Sequence, residues 1–148
     1  MLKLLLLLTT ILCVSCTHDD KKPVEPIQPP IVEAPPIENF LEIVYFEFDD
    51  HSLTNESMRS LNVLSDYLKK NPELIILVEG HCDERGSIEY NLALGQRRAA
   101  SVLAYLITLG IDKNNLVTVS MGEETPAMIE HNEAAWARNR RVEFKYTN

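Results

Sequence analysis

The prolines of this 148-residue chain are concentrated in one stretch, and this limits where a folded domain can lie. Six of the eight prolines fall within residues 17–39, which contain no glycine. Such a segment cannot bury a core and favours extended polyproline II, so we expect a semi-rigid spacer; the alternative is an ordinary disordered linker. At about 3.1 Å per residue its 23 residues would reach about 70 Å. The proline-rich tether is therefore assigned to residues 16–39, and one folded domain to residues 40–148.

The first fifteen residues have the features of an export signal. A weakly positive start precedes the apolar run "LLLLLTTILCV", which is shorter than the roughly 20 residues of a transmembrane helix. The next residues, "LCVSC", resemble a lipoprotein cleavage box, although Cys13 stands where such boxes usually carry leucine. We predict a signal peptide over residues 1–15 and a covalent lipid on Cys16, with no other cofactor; the alternative is an uncleaved anchor. Thr17 after the lipidated residue resembles bacterial signals that direct sorting to the outer membrane.

The cysteines and the net charge exclude several classes of protein. Once Cys13 leaves with the signal and Cys16 carries lipid, only Cys82 keeps a thiol, so no intramolecular disulfide can form. The formal charge is −8, and removal of Lys3 with the signal makes it one unit more negative. A chain this acidic has no electrostatic attraction to nucleic acid or to anionic lipid surfaces, and we expect neither as a partner.

The apolar pattern of the domain predicts an α/β (α+β) fold. "LEIVYFEF" is rich in β-branched and aromatic residues and predicts a strand in which Val44, Phe46 and Phe48 share one face. "ELIILVE" is a continuous apolar run, typical of a central strand. The order β-α-β-α-β-(α)-β favours a two-layer sandwich with the helices on one face of a mixed four-stranded sheet. The expected strands cover residues 41–48, 73–79, 116–120 and 142–146. The first helix is expected to follow an N-cap at Thr54 and to end at Lys69 and Lys70. The other expected helices cover 87–110, closed by Gly110 as a C-cap, and 132–139.

The stretch "GHCDERG" directly follows the predicted central strand and could form a metal centre, a catalytic cluster or a ligand-binding clamp. His81, Cys82, Asp83 and Glu84 are consecutive, so their side chains diverge and cannot all face one ion. The folded domain contains no H-x-x-x-H pair and no second cluster of histidine and cysteine at a usable spacing. G-x-S-x-G, S-x-x-K and phosphate-binding glycine loops are also absent from the sequence. We therefore expect neither a metal site nor an enzyme.

Two carboxylates and an arginine are expected at one edge of the sheet. Asp83 follows the central strand, and Asp49 follows the first strand and would lie at the same end if the two strands are parallel neighbours. Arg98 lies on the long helix that comes next. With Phe48 and Leu94 as an apolar wall, this set suits a zwitterion, because acids bind an ammonium and arginine binds a carboxylate. The arrangement is one for binding rather than catalysis.

Arg98 has alternative roles on geometry alone. A guanidinium beside the core is costly unless it is paired. Arg98 could extend over the edge of the helix, or pair with one of the domain's own acids. It lies at the margin of an apolar stripe whose expected members are Leu92, Ala99, Val102, Leu103 and Leu106.

Three stretches carry a resemblance to a known family. "YFEFDD", "GHCDERGSIEYNLALGQRRAASVLAYL" and "NEAAWARNRRVEF" resemble the OmpA-like peptidoglycan-binding domain from Tyr45 to Tyr146. The central motif, G-H-x-D-x-x-G followed by Y-N-x-x-L and R-R-A, is long and specific. The resemblance implies non-covalent binding of the diaminopimelate of peptidoglycan stem peptides and no catalysis.

The resemblance also implies roles for individual residues. Asp83 would bind the ammonium of diaminopimelate and Arg98 its carboxylate. Phe48 and Asp49 would line the site, and Leu94 would pack on the ligand. The expected supporting residues are Asn91, Arg140 and Arg85.

The same resemblance implies partners and a location. With a lipid on Cys16, the protein would be anchored in the outer membrane, face the periplasm and hold the peptidoglycan. The family also binds a TolB-like periplasmic propeller protein through an overlapping surface. The alternative is a protein-interaction module with a vestigial wall-binding pocket.

Gly80 and Gly86 are expected to permit a tight turn around Asp83.

Overall fold

The computed structural model describes residues 43–147, which form an open four-stranded sheet of mixed direction with three helices. The predicted fold class is confirmed, whereas the predicted signal peptide and tether lie outside the described residues. No helix among the described residues has the length and apolar character needed to cross a membrane. The strands are β1 (Val44–Tyr45), β2 (Ile75–His81), β3 (Leu116–Gly122) and β4 (Arg141–Thr147), and the helices are α1 (Asn55–Lys70), α2 (Ile88–Thr108) and α3 (Glu133–Asn139).

The strand order, β1-β4-β2-β3, brings the ends of three strands together. β2 is parallel to β3, and β4 runs antiparallel to both β1 and β2. β1 and β2 therefore point the same way but are not neighbours, because β4 lies between them. The carboxyl ends of β1 and β2 lie at the same edge as the first residues of β4, and this edge carries the candidate site.

The start of α1 is capped as predicted, whereas Ser87, expected inside the second helix, is its N-cap. The hydroxyl of Thr54 accepts a hydrogen bond from Ser57 N at 3.1 Å at the start of α1, and Ser87 caps α2 through Tyr90 N at 3.2 Å. Gly110, just after α2, has a φ of +92°, which suits its predicted role in ending the helix. The core between the helices and the sheet buries aliphatic side chains that each contribute about 1.5–3 kcal/mol. Among the most deeply buried are Leu61, Leu64, Ile76, Val78, Val102, Leu106 and Val142.

The first strand is much shorter than predicted. Within the predicted range 41–48, only Val44–Tyr45 pairs with β4, and residues 41–42 lie outside the described range. Phe46 is still buried on the core side, but the chain then turns, with Asp49 in the left-handed region at a φ of 53°. The turn reverses the alternation, so Phe48 is 57% exposed instead of sharing the face of Val44 and Phe46.

β2 runs two residues further than predicted because Gly80 belongs to the strand rather than to the turn. A Cβ on Gly80 would overlap the main-chain carbonyl of Gly95 in α2, and a Cβ on Gly95 would overlap Ser120 Oγ. These two glycines let α2 lie directly on the backbone of the sheet. The expectation for Gly80 was thus wrong, whereas Gly86 does sit in the turn, with a φ of +120°.

Gly80→Ala should lower the free energy of unfolding by about 3 kcal/mol or more, because the new methyl group has no room against backbone atoms. Urea denaturation measures the change. Gly110→Ala is the matched control, since open space surrounds that position. The control should cost only about 1–2 kcal/mol, the price of a positive φ for a residue with a Cβ. Equal losses in the two variants would contradict close helix–sheet contact at Gly80.

The sheet face turned away from α2 carries a buried histidine. Gly80 points toward α2, so its neighbours Glu79 and His81 project from the opposite face. Burial, and next the positive charge of Arg141, lower the pKa of His81 to about 4. Glu143 and Glu79 act in the opposite direction, and Lys145 adds to the lowering.

Folding stability should therefore fall as the pH drops from about 6.5 to 4.5. The unfolded chain protonates His81 near pH 6.5, whereas the folded protein does so only near pH 4. The contribution of neutral His81 is complete above pH 6.5 and is lost through this window, by about 2 kcal/mol at pH 4.5. Urea unfolding at both ends of the window measures it. His81→Gln should abolish most of the difference, and the exposed His131→Gln should retain it; an unchanged slope in His81→Gln would refute the assignment.

Candidate functional site

One cavity of about 200 Å³ at the carboxyl edge of β1 and β2 collects every residue that the sequence suggested for the site. Its lining includes the five expected ligand-binding residues and the three expected supporting residues, with Cys82, Gly86 and Tyr90 in addition. The expected ligand-binding residues are Phe48, Asp49, Asp83, Leu94 and Arg98, and the supporting ones are Arg85, Asn91 and Arg140. The structure shows where these residues lie, and their roles toward a ligand remain predictions.

Arg98 lies in the interior and not at the margin of the apolar stripe. Its residue exposure is 0%, whereas Leu92, expected on the stripe, is 37% exposed. The buried face of α2 is shifted because the helix meets the sheet at Gly95, one turn before Arg98. This face contains Asn91, Leu94, Gly95, Arg98, Ala99, Val102 and Leu106.

The guanidinium of Arg98 is held mainly by main-chain oxygens. Nε donates to the carbonyl of Asp50 at 2.9 Å, Nη1 to that of His81 at 2.8 Å, and Nη2 to that of Glu47 at 3.1 Å. Nη1 also lies 3.5 Å from Cys82 Sγ, a weak contact. Burial lowers the pKa of Arg98, with the nearby Asp83 among the groups that oppose the shift. The arginine thus ties the loop after β1 to the end of β2.

Asp83 is buried, and its hydrogen-bonded partners are two other arginines rather than Arg98. Arg85 donates from Nη2 to Oδ2 at 2.7 Å and from Nε to Oδ1 at 3.1 Å, and Arg140 Nη1 lies 3.3 Å from Oδ2. Burial alone would raise the pKa of Asp83, but these hydrogen bonds outweigh it and hold the pKa below its ordinary value. The carboxylate is therefore charged at neutral pH.

Arg85 covers Asp83 from the solvent side. Its guanidinium lies between two aromatic rings, 4.1 Å from the centroid of Phe48 and 4.2 Å from that of Trp136. Its Nη1 also lies 3.4 Å from the carboxylate of the exposed Glu133. The side chain is 30% exposed, so Arg85 is the cation on Asp83 that can most easily move into solvent.

The other two supporting residues connect the loops around the cavity. The buried amide of Asn91 donates to the carbonyls of Asp83 at 3.2 Å and Arg85 at 3.3 Å, which fixes the turn. Arg140 donates from Nε to the carbonyl of Phe46 at 3.1 Å and from Nη2 to Glu133 at 2.9 Å. Arg140 precedes β4 and reaches the site because β4 begins at the edge where β1 and β2 end.

The consecutive polar side chains of "GHCDERG" diverge, as the sequence indicates. His81 projects from the face away from α2, with Nδ1 3.0 Å from Thr125 Oγ1, while Asp83 lines the cavity. Glu84 turns to the surface, where it bonds to His131 Nδ1 at 2.6 Å and accepts from Trp136 Nε1 at 2.8 Å. Only one of these three side chains therefore serves the cavity.

Several residues of the site escaped the sequence analysis. Tyr90 lines the cavity and donates its hydroxyl to the carboxylate of Asp49. Its place beside Asn91 in the Y-N-x-x-L motif is a signal that could have found it. Trp136 and Glu133 contact Arg85, which lies about 50 residues away along the chain. Both residues are part of the stretch "NEAAWARNRRVEF", but their contacts with the site depend on the tertiary structure.

The chemistry of the cavity is that of charge recognition. An ionised carboxylate and a guanidinium line one small space, with the buried Leu94 and the exposed ring of Phe48 beside them. Groups of opposite charge at fixed positions bind a ligand end that carries both an ammonium and a carboxylate.

Comparisons with known proteins show the family of this chain. The sequence model of the OmpA family matches residues 45–140. The peptidoglycan-associated lipoprotein of Haemophilus influenzae is 50% identical over 103 residues, which cover 70% of this chain and 67% of that protein. The protein of the same name from Pseudomonas aeruginosa is 48% identical over 101 residues, which cover 68% of this chain and 60% of that protein.

The fold has a close counterpart among solved structures. The crystal structure of the peptidoglycan-associated lipoprotein from Burkholderia pseudomallei aligns with a TM-score of 0.70 at 44% identity, and covers 71% of this chain and 89% of that one. The C-terminal domain of Helicobacter pylori MotB shares the fold alone, with a TM-score of 0.68 at 22% identity. A family match over most of the described residues, with relatives at up to 50% identity, shows that this chain belongs to the OmpA family.

Proposed function

We propose that this protein binds the diaminopimelate of peptidoglycan stem peptides, without covalent chemistry, in the cavity that contains Asp83 and Arg98. The observation that carries the proposal is that one cavity contains both the ionised carboxylate of Asp83 and the guanidinium of Arg98, which still has N–H groups available to a ligand. The far end of diaminopimelate offers the complementary pair, an ammonium and a carboxylate on one carbon. The names of the relatives, peptidoglycan-associated lipoproteins, support the same ligand class.

Asp83 would receive the ammonium by exchange of one cation for another. Arg85 binds the carboxylate of Asp83 in this structure. Its side chain lies between the rings of Phe48 and Trp136 and is 30% exposed, so it can rotate into solvent. Arg140, which is buried, would stay and keep Asp83 ionised. The exchange leaves the charge of the site unchanged, so it avoids the cost of an isolated buried charge.

Arg98 would bind the carboxylate through its outer two nitrogens. Nη2 has one N–H left after its bond to the carbonyl of Glu47, and Nη1 makes only a weak second contact with Cys82 Sγ. A carboxylate could therefore take one N–H from each nitrogen while all three main-chain bonds remain. The rigidity of those bonds keeps the guanidinium in position before the ligand arrives.

The cavity is small, and its size supports entry by the end of the stem-peptide side chain alone. A volume of about 200 Å³ is below the roughly 300–1,000 Å³ of sites that enclose a drug-sized ligand. The sugar chain and the rest of the peptide would remain outside, against Phe48, Asp49 and Tyr90. Leu94 would pack on the methylene groups of the diaminopimelate.

The wider role that we propose is an anchor between the outer membrane and the cell wall. The lipid on Cys16 would hold the protein in the outer membrane, and the tether of residues 16–39 would span the gap to the wall. The relatives' lipoprotein names support this arrangement. We extend the proposal to a Tol-Pal system, in which a TolB-like propeller protein competes with peptidoglycan for an overlapping surface of this protein. The role that we propose is binding and not catalysis.

Binding of a muropeptide that contains meso-diaminopimelate, measured by calorimetry on the full-length chain in non-ionic detergent, should be saturable. Asp83→Asn and Arg98→Lys should each weaken it by about 2–5 kcal/mol. Asparagine removes the charge that would pair with the ligand ammonium, and lysine keeps its charge but cannot bind the ligand carboxylate through two nitrogens while it also bonds to the main-chain carbonyls. Lysine is the conservative replacement at 98, since alanine would leave the carbonyls of Glu47, Asp50 and His81 without their donor. Circular dichroism checks that the variants fold.

The matched controls are Arg97→Lys, the exposed neighbour on α2, and Asp66→Asn on α1, and both should bind normally. A muropeptide with lysine in place of diaminopimelate lacks the end carboxylate, so it should bind weakly to the native protein. Arg98→Lys should lose most of the discrimination between the two peptides. Absence of binding by the native protein would overturn the proposal and favour the protein-interaction module.

A further inference from the structure

A group of side chains that could bind a metal ion lies on the sheet face turned away from α2. Glu79 and Glu143 are opposite each other in the register of β2 and β4, so they project to the same side, and His81 is two residues further along β2. One ligand atom from each of the three lies within 4.8 Å of the other two. The geometry points to a binding site for a divalent transition-metal ion of the zinc class, formed by these three side chains.

The histidine has a nitrogen that its surroundings do not use. His81 is 2% exposed, and its buried Nε2 makes no hydrogen bond. The nearest carboxylate oxygen, Glu79 Oε2, is 3.9 Å away, which is too far for a hydrogen bond. Buried polar atoms are rarely left without a partner, so we expect Nε2 of His81 to bind one.

The other ring nitrogen is already fixed. Nδ1 lies 3.0 Å from Thr125 Oγ1, a contact that fixes the orientation of the ring of His81. When Nδ1–H donates to the hydroxyl, the lone pair of Nε2 points into the cluster. Metal-binding histidines usually make such a hydrogen bond through the nitrogen that does not bind the metal.

Each carboxylate of the cluster already has a cation at one of its oxygens. Lys145 Nζ is 2.6 Å from Glu79 Oε2, and Arg141 Nε donates to Glu143 Oε1 at 2.6 Å. Glu79 Oε2 is also the oxygen that lies 3.9 Å from His81 Nε2, so an ion bound there would compete with the ammonium of Lys145. Arg141 also donates to the carbonyls of Asn139 and Thr125, so it would stay as a support for Glu143.

Binding of the ion would require a small closure and the departure of one cation. Zinc bonds of about 2.0–2.2 Å put tetrahedral ligands about 3.4 Å apart, so the three donors must approach by no more than about 1.4 Å. Lys145 would leave Glu79 for solvent, since its side chain is already 58% exposed. Glu143, at 30% exposure, marks the side from which the ion and a fourth ligand, water, would enter.

The test is a titration of the full-length chain, in detergent and with ¹⁵N-labelled histidine, with Zn²⁺ alone. Long-range ¹H–¹⁵N spectra report on His81 Nε2, and competition with a chromogenic chelator gives the affinity. We expect one ion per chain and a large shift of the Nε2 resonance. Glu143→Gln should weaken binding at least tenfold, and Lys145→Gln should strengthen it several-fold because the competing ammonium is gone.

Both of these positions are at least partly exposed, so the variants should fold even if His81→Gln does not. His131→Gln is the control for adventitious binding at the surface pair of Glu84 and His131, and it should leave the affinity unchanged. An unmoved His81 resonance, equal affinity in Glu143→Gln, or loss of zinc binding in His131→Gln would each overturn the proposal. The proposed zinc site lies on the sheet face turned away from α2. The zinc titration therefore tests this proposal, and the muropeptide titration tests the proposed function separately.

Discussion

The buried guanidinium of Arg98 is the interaction on which the site depends. A charge with 0% exposure is costly, and here three main-chain carbonyls, from Glu47, Asp50 and His81, offset that cost. Those carbonyls belong to the loop after β1 and to the end of β2, two segments that share no strand pairing. A side chain from α2 therefore determines how the two segments face each other, and the cavity is the space that remains between them.

The strand order supplies the rest of the site. Because β4 runs antiparallel between β1 and β2, its first residues reach the edge where those strands end. Arg140 can then bond to the carbonyl of Phe46 and to the carboxylate of Asp83 at once. With Arg85 on the same carboxylate, Asp83 is ionised, and in the proposed binding mode a ligand ammonium would replace a cation instead of creating a new buried charge.

The two faces of the sheet have separate chemistry, and the alternation along β2 is the reason. Gly80 faces α2 and permits the close contact with Gly95, whereas Glu79 and His81 project to the other side. One short motif thus provides a packing contact, an acid for the cavity and a histidine for the opposite face. The close helix contact at Gly80 keeps these directions fixed.

Periodicity, capping and a long motif are local signals, so the sequence alone predicted the class of fold, the N-cap of α1, the central position of β2 and eight of the residues that line the cavity. It missed the short β1, the direction of Phe48 and the strand role of Gly80, since a turn at Asp49 and a backbone contact with Gly95 decided them. Only the tertiary structure showed that Asp83 bonds to Arg85 and Arg140 while Arg98 bonds to the main chain. Which cation meets which acid depends on distances between segments far apart in the chain, and sequence spacing does not contain those distances.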